Sequence, residues 1–188
     1  MSGVWDRVYQ SDNTFFGEEP SNFANICLNH KKSNNVKKVL EIGAGHGRDT
    51  MFFASNGLEV EDLDYSTRGI EVISKKANEE RLPVKPQLFD VKKPLPFKDA
   101  IFDAVYSHML LNMRFSQAEL HSVFSEIRRV PKPNGLNYFS VRSHNDRFHG
   151  NGVEVEDGVY DISGFEVRFF SEKETLDLID KEVLICFG

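Results

Sequence analysis

The apolar positions of this chain change period in regular alternation, continuous or every second residue in one block and every third or fourth in the next. In VLEIG, residues 39–43, Val39, Leu40 and Ile42 leave little polar face. That predicts a strand buried on both sides, as inside parallel sheets. RDTMFFASNG follows with a helical pattern, and Gly57 stands where a C-terminal cap belongs. LEVEDLD predicts a second strand, turning Leu58, Val60, Asp62 and Asp64 one way and Glu59, Glu61 and Leu63 the other. Ser66 is placed to cap a helix running to Glu80, with Ile70, Ile73 and Ala77 on one face. VKPQLFD predicts a third strand, and because Pro86 cannot donate to a ladder that strand belongs at a sheet edge.

IFDAVYS reads as a fourth, buried strand. Ser116 and Glu119 form a capping-box pair opening a helix whose stripe is Leu120, Val123, Phe124 and Ile127. Pro131 and Pro133 end it, and LNYFSV supplies a fifth strand. Strands alternating with helices predict an α/β fold built on a parallel sheet with right-handed crossovers. Residues 142–170 break the rhythm: they are polar and glycine-dotted, and VEVEDGVYDI within them predicts a hairpin around Asp157-Gly158. Such an insertion is either a lid over a site or a passive surface loop. Ser171 and Glu174 open a last helix, and EVLICF predicts a last strand. No repeat or linker divides the chain, so residues 1–188 are read as one domain.

Composition narrows the function classes. The 188 residues carry a formal charge of −6 and no basic run, a poor surface for nucleic-acid phosphates. No apolar stretch approaches the roughly 20 residues needed to span a bilayer, and MSGVWDRVYQSD has no secretory h-region. Cys27 and Cys186 make neither a disulfide framework nor a metal pattern, so reduced thiols and no metal are expected. A cytoplasmic protein without nucleic-acid or membrane partners is the expectation.

The loop GAGHG joins the first strand to the first helix, where open α/β sheets bind ligands. Gly43 and Gly45 allow a tight turn and close approach of a ligand. A dinucleotide fingerprint would place its third glycine at position 48, where this chain has Arg48; the third glycine comes one residue early, at Gly47. Glu41 lies at the strand mouth, where a pyrophosphate would have no use for negative charge. Asp64 ends the second strand at the distance suited to accepting from a ribose, and Asp90 ends the third, where a carboxylate could accept from an adenine amino group. A ligand with adenosine, no phosphate and a positive charge suits this acidic crescent, and S-adenosylmethionine has all three properties.

VLEIGAGHG, VEDLDYS, LFDV, PLPFKDAIFDAVYS and EIRRVPKPNG resemble, in order and spacing, the motifs of Rossmann-like S-adenosylmethionine-dependent methyltransferases, over residues 39–141. GHGRDTMFFA is most similar to the tellurite-resistance and ubiquinone/menaquinone-biosynthesis branches. The resemblance implies a doubly wound, mostly parallel sheet with helices on both faces, and S-adenosylmethionine as cofactor. It implies that Glu41, Gly43, Ala44 and Gly45 line the methionine end, that Asp64 holds the ribose with Tyr65 beside the adenine, and that Asp90 and Val91 frame the adenine. Ser107 would lie under the sulfonium. Residues 1–35 would form an N-terminal cap with Tyr9 near the cofactor carboxylate, or else a helix packing Trp5 on the core. The family normally adds a seventh, antiparallel strand between the fifth and sixth; this chain stops after EVLICFG, so a truncated chain or an unusual edge is expected.

Methyl transfer is an in-line displacement that needs alignment more than acid–base chemistry. His108, after the fourth strand, is the candidate for positioning the acceptor or removing its proton. Arg142, His144 and Arg168 are candidates to face an anionic acceptor. SHMLLN after the fourth strand is not an Asp/Asn-Pro-Pro-aromatic pattern, which argues against DNA bases and glutamine amides and for a small-molecule methyl acceptor. Carboxylate, phenol, amine, thiol and metalloid oxyanion acceptors remain open. An NAD-dependent oxidoreductase and a non-catalytic S-adenosylmethionine-binding domain are the rival readings.

Overall fold

The computed structural model describes residues 3–12, 15–156, 158–178 and 184–187. Its centre is a six-stranded, wholly parallel sheet of order β3-β2-β1-β4-β5-β9, from β1 (Lys38–Ile42), β2 (Glu59–Asp64), β3 (Val84–Leu88), β4 (Phe102–His108), β5 (Pro131–Val141) and β9 (Leu184–Phe187). Strand order reverses between β1 and β4, which opens a crevice at their C-terminal ends. The edge position of β3 explains how Pro86 is tolerated there. Among the described residues β5 pairs directly with β9, with no antiparallel strand between them.

Two apolar layers cover the sheet. Leu120, Val123, Phe124 and Ile127 of α5 (Gln117–Arg129) bury against Val105, Phe139 and Val141. Phe23, Ala24 and Leu28 of α2 (Asn22–Ser33) and Phe53 and Ala54 of α3 (Arg48–Ser55) bury against Val39, Val60 and Ala104. The second layer also encloses a charge. Lys31 of α2 is fully buried, its ammonium 3.4 Å from the Phe53 ring centre and 4.7 and 5.2 Å from those of Tyr106 and Tyr138. Burial lowers its pKa to about 8.

Local signals account for the helix ends. Ser66 accepts from Gly69 N–H to open α4 (Thr67–Glu80), and Ser116 and Glu119 close a full capping box on α5. Gly57 follows α3 with φ 86°, its N–H reaching Ala54 O. The fifth strand begins earlier than LNYFSV suggests. Pro131 pairs with Phe102 immediately after α5, and a register shift precedes the pairing of Leu136 with Ala104.

Residues 142–170 form a sheet of their own. β6 (Val153–Glu156) and β7 (Val159–Ile162) make the expected hairpin; Asp157 in its turn lies outside the described residues. A third strand, β8 (Phe165–Arg168), adds to β7. The chain is completed by α1 (Gly3–Ser11) and α6 (Glu172–Leu178).

Candidate functional site

The floor of the site is the loop after β1. Gly43, Gly45 and Gly47 all have positive φ (78°, 62° and 83°), which side chains disfavour. Space is as restrictive as backbone: a Cβ on Gly47 would run into Ile73, and Gly69 of α4 lies so close that a Cβ there would strike Gly45 O. Asp64 is tied into this loop, one carboxylate oxygen accepting from Gly45 N–H and the other from Ser66 N–H, each at 2.8 Å. Burial pushes its pKa up to about 6 despite those bonds. Asp62, two residues earlier, is fully buried, and neither carboxylate oxygen has a hydrogen-bond partner among the described residues. Burial and the neighbouring Asp64 raise it to about 7.

Above the loop sits α1, held down by Asp6, which accepts from Ser66 Oγ at 2.6 Å and from Arg68 N–H at 3.2 Å. A Cβ on Gly45 would meet the Tyr9 hydroxyl, so Tyr9 covers the loop. Trp5 packs on Tyr9 and Phe16, each with ring centres 5.8 Å apart, and reaches Phe165 of β8 at 5.6 Å. Arg48 Nη1 donates to Phe16 O at 2.6 Å, tying this segment to the start of α3.

The far wall is the end of β4 and the segment after it. Ser140 Oγ lies 2.7 Å from His108 Nδ1 and accepts from Met109 N–H at 3.1 Å, with Met109 at φ 62°. Burial lowers the His108 pKa. Asn112, fully buried, joins this wall to both ends of the 142–170 segment: its Oδ1 accepts from Arg142 N–H at 2.7 Å and its carbonyl from Arg168 N–H at 2.6 Å. Floor, cover and wall line a cavity of about 520 Å³, with Gly43, Asp64, His108 and Arg142 all in its lining.

The family model of the methyltransferase domain matches residues 39–135, the loop, the acids and β4 included. The chain belongs to the methyltransferase domain family. An uncharacterized methyltransferase of Synechocystis is 30% identical over 120 residues, which are 64% of this chain and 53% of that protein. This chain thus spans about half the length of that curated relative. The methyltransferase fold is shared with an S-adenosylmethionine-dependent methyltransferase from Clostridium acetobutylicum (TM-score 0.71, 14% identity, 94% of this chain and 83% of that one). It is shared also with one from Methanosarcina mazei (TM-score 0.69, 21% identity, 80% and 81%). S-adenosylmethionine is the cofactor that goes with this family and fold.

Within the methyltransferase domain the sequence candidates separate into three groups. Gly43, Asp64, Tyr65, Tyr9, His108 and Arg142 line the cavity. Ala44 and Gly45 belong to its loop, while Glu41 is buried behind it, accepting from Thr50 Oγ1 at 2.7 Å. Burial and nearby Asp49 hold the Glu41 carboxyl well above the usual range. Ser107 is buried in β4 with no hydrogen-bond partner for Oγ among the described residues, and Val91 is part of the core. The rest stand away from the cavity walls. Asp90 is exposed and accepts from Lys92 N–H at 3.0 Å; His144 is exposed and stacks on His149 at 4.4 Å. Arg168 is buried, with Nη2 3.4 Å from Glu156. Among the described residues no group of three or more His, Cys, Asp or Glu could hold a metal.

Sequence reasoning missed Asn112, Arg48 and Asp49. Asp49 accepts from Ser21 N–H and Oγ at 2.8 Å and from Tyr106 OH at 2.7 Å. Burial alone would raise its pKa, but these bonds hold it below the usual value. Its partners are distant in sequence, so no local spacing announces them. Arg48 was legible only as the residue displacing a glycine.

Proposed function

We propose that this domain transfers the methyl group of S-adenosylmethionine to a small-molecule acceptor by in-line displacement. The observation that carries this reading is the tie between Asp64 and Gly45 N–H, which puts the β2 carboxylate and the glycine loop in one site at the cavity's edge. The donor set fits the cofactor. Asp64 accepts backbone N–H groups from Gly45 and Ser66 on different oxygens, and the carboxylate has lone pairs left for a ribose hydroxyl. When bound, the cofactor supplies an electrophilic methyl on a positively charged sulfur. The protein's part is to align the acceptor about 3 Å from that methyl and to exclude water. Residues 1–35 act as a cap and residues 142–170 as a lid within one domain, 1–188, a role supported by the Trp5–Phe165 contact. A net charge of −6 favours a small acceptor over nucleic acid.

His108 positions the acceptor in this reading. On that reading Ser140 Oγ accepts from Met109 N–H and directs its own hydrogen to His108 Nδ1. The ring proton then sits on Nε2, and with the pKa lowered by burial the imidazole is a neutral donor at pH 7. Asp64 must be ionised to accept from the ribose, so cofactor affinity falls as pH drops below about 6. The test is a melting scan and calorimetry with S-adenosylhomocysteine and with NAD. At 100 times its dissociation constant a ligand adds about 2.7 kcal/mol of stability. Stabilisation by NAD and none by S-adenosylhomocysteine would overturn the reading. Binding of S-adenosylhomocysteine without turnover of any acceptor would reduce the domain to a binding module.

A further inference from the structure

The geometry points to an acceptor with an apolar body and one anionic group, held with its charge on Arg142. This rests on the reading of the cavity as the site of methyl transfer. Much of the lining is apolar: Met109 and Met113 from the segment after β4, and Phe148, Ile162, Phe165 and Val167 from residues 142–170. Such a lining desolvates a hydrocarbon or ring favourably and rejects a small, fully hydrated oxyanion or amino acid. Two polar side chains among these walls are already engaged. Asn112 is spent, its Oδ1 on Arg142 N–H and its Nδ2 on Met109 Sδ at 3.1 Å. His108 Nδ1 is spent on Ser140.

Arg142 is different. Its guanidinium packs over the Phe148 ring at 5.5 Å, and Nη1 donates to Asp146 Oδ2 at 2.7 Å. Asp146 holds one edge and the ring holds one face, so the group is fixed in direction before any ligand arrives. A guanidinium carries five N–H donors, and a carboxylate, phosphate or phenolate can take a second edge in bidentate fashion. The fixed, part-buried cation beside apolar walls is what an amphiphilic anion requires. Preorganisation by Asp146 and Phe148 lowers the entropic cost of forming those bonds.

The test uses octanoate, 1-octanol and acetate as probes on the full chain saturated with S-adenosylhomocysteine. The first has both features, the second only the apolar body, the third only the charge. Trp5 is the single tryptophan and lines the cavity, so its fluorescence reports binding there. Octanoate is expected to bind at least about tenfold more tightly than either control, and Arg142→Gln to remove that margin over octanol. The S-adenosylhomocysteine affinity of the variant should stay at the wild-type value. Octanoate binding no better than octanol, or no better than acetate, in the wild-type protein would overturn the inference without recourse to any variant. So would an octanoate preference that survives Arg142→Gln in a variant with unchanged melting temperature. Failure of S-adenosylhomocysteine itself to bind would instead sink the methyltransferase reading.

Discussion

The floor of the cavity and its roof are built by different means. The floor is backbone: three glycines with positive φ, a carboxylate on two N–H groups, and a helix brought close by Gly69. It leaves no room for a side chain at any of these glycines. The roof is mostly side chain: Trp5 against Phe165, Tyr9 over Gly45, and the Asn112 amide on Arg142 N–H, with one backbone tie from the Asn112 carbonyl to Arg168 N–H. Its strands β6, β7 and β8 are four residues each and mostly part-exposed. In the proposed function, the floor would fix where the cofactor lies and the roof would open for exchange of ligands.

The sharpest way to break this contrast is to add one methyl to each half. Gly47→Ala adds left-handed strain to a collision with Ile73 and should cost about 3 kcal/mol. Gly164→Ala, in the turn between β7 and β8, has the same backbone sign (φ 87°) but open space, and should cost about 1 kcal/mol. Chemical denaturation of both variants gives the ratio, and equal costs would mean that the floor yields as easily as the roof.

A second measurement tests how tightly the floor is closed around Asp62. Its carboxyl is raised to about 7 from 3.8, so between those values the native state holds a proton that the unfolded chain has released. Stability therefore falls as pH rises through that window, and Asp64, raised to about 6, acts in the same direction. Asp62→Asn should shrink the stability difference between pH 5 and pH 8 by about 2 kcal/mol. An unchanged difference would show that solvent reaches Asp62.

The smallest effect concerns the roof alone. Asn112→Ala leaves the Arg142 N–H without its acceptor and should cost about 1–2 kcal/mol. Hydrogen exchange is expected to quicken in residues 142–168 and to stay unchanged in β1 and β2. Uniform quickening would place Asn112 in the common core.

The floor was largely legible in the sequence and the roof was not, and the reason is range. Glycine spacing, the cap at Ser66 and the acid ending β2 are local patterns, each read within one or two elements. The strand β8 escaped notice because FEVR is short, with Phe165, Glu166 and Val167 all part-buried, so no alternation marks a face. The N-terminal segment left two readings open, cap or core helix. In the structure Trp5 packs on Tyr9, Phe16 and Phe165 and lines the cavity, outside both apolar layers of the core. Asn112 joins residues 30 and 56 positions away, a distance no periodicity encodes.

Lys31 gives the molecule an internal gauge of opening. Its amine lies beneath α2, enclosed by Phe53, Tyr106 and Tyr138, and burial lowers its pKa to about 8. Enclosure forbids any acylating reagent from reaching it while α2 is docked. Its modification rate is then the surface rate multiplied by the fraction of molecules in which that helix has lifted away. One lysine, followed by mass spectrometry among the others, thus reports the fraction of molecules in which the layer beneath the glycine loop stands open.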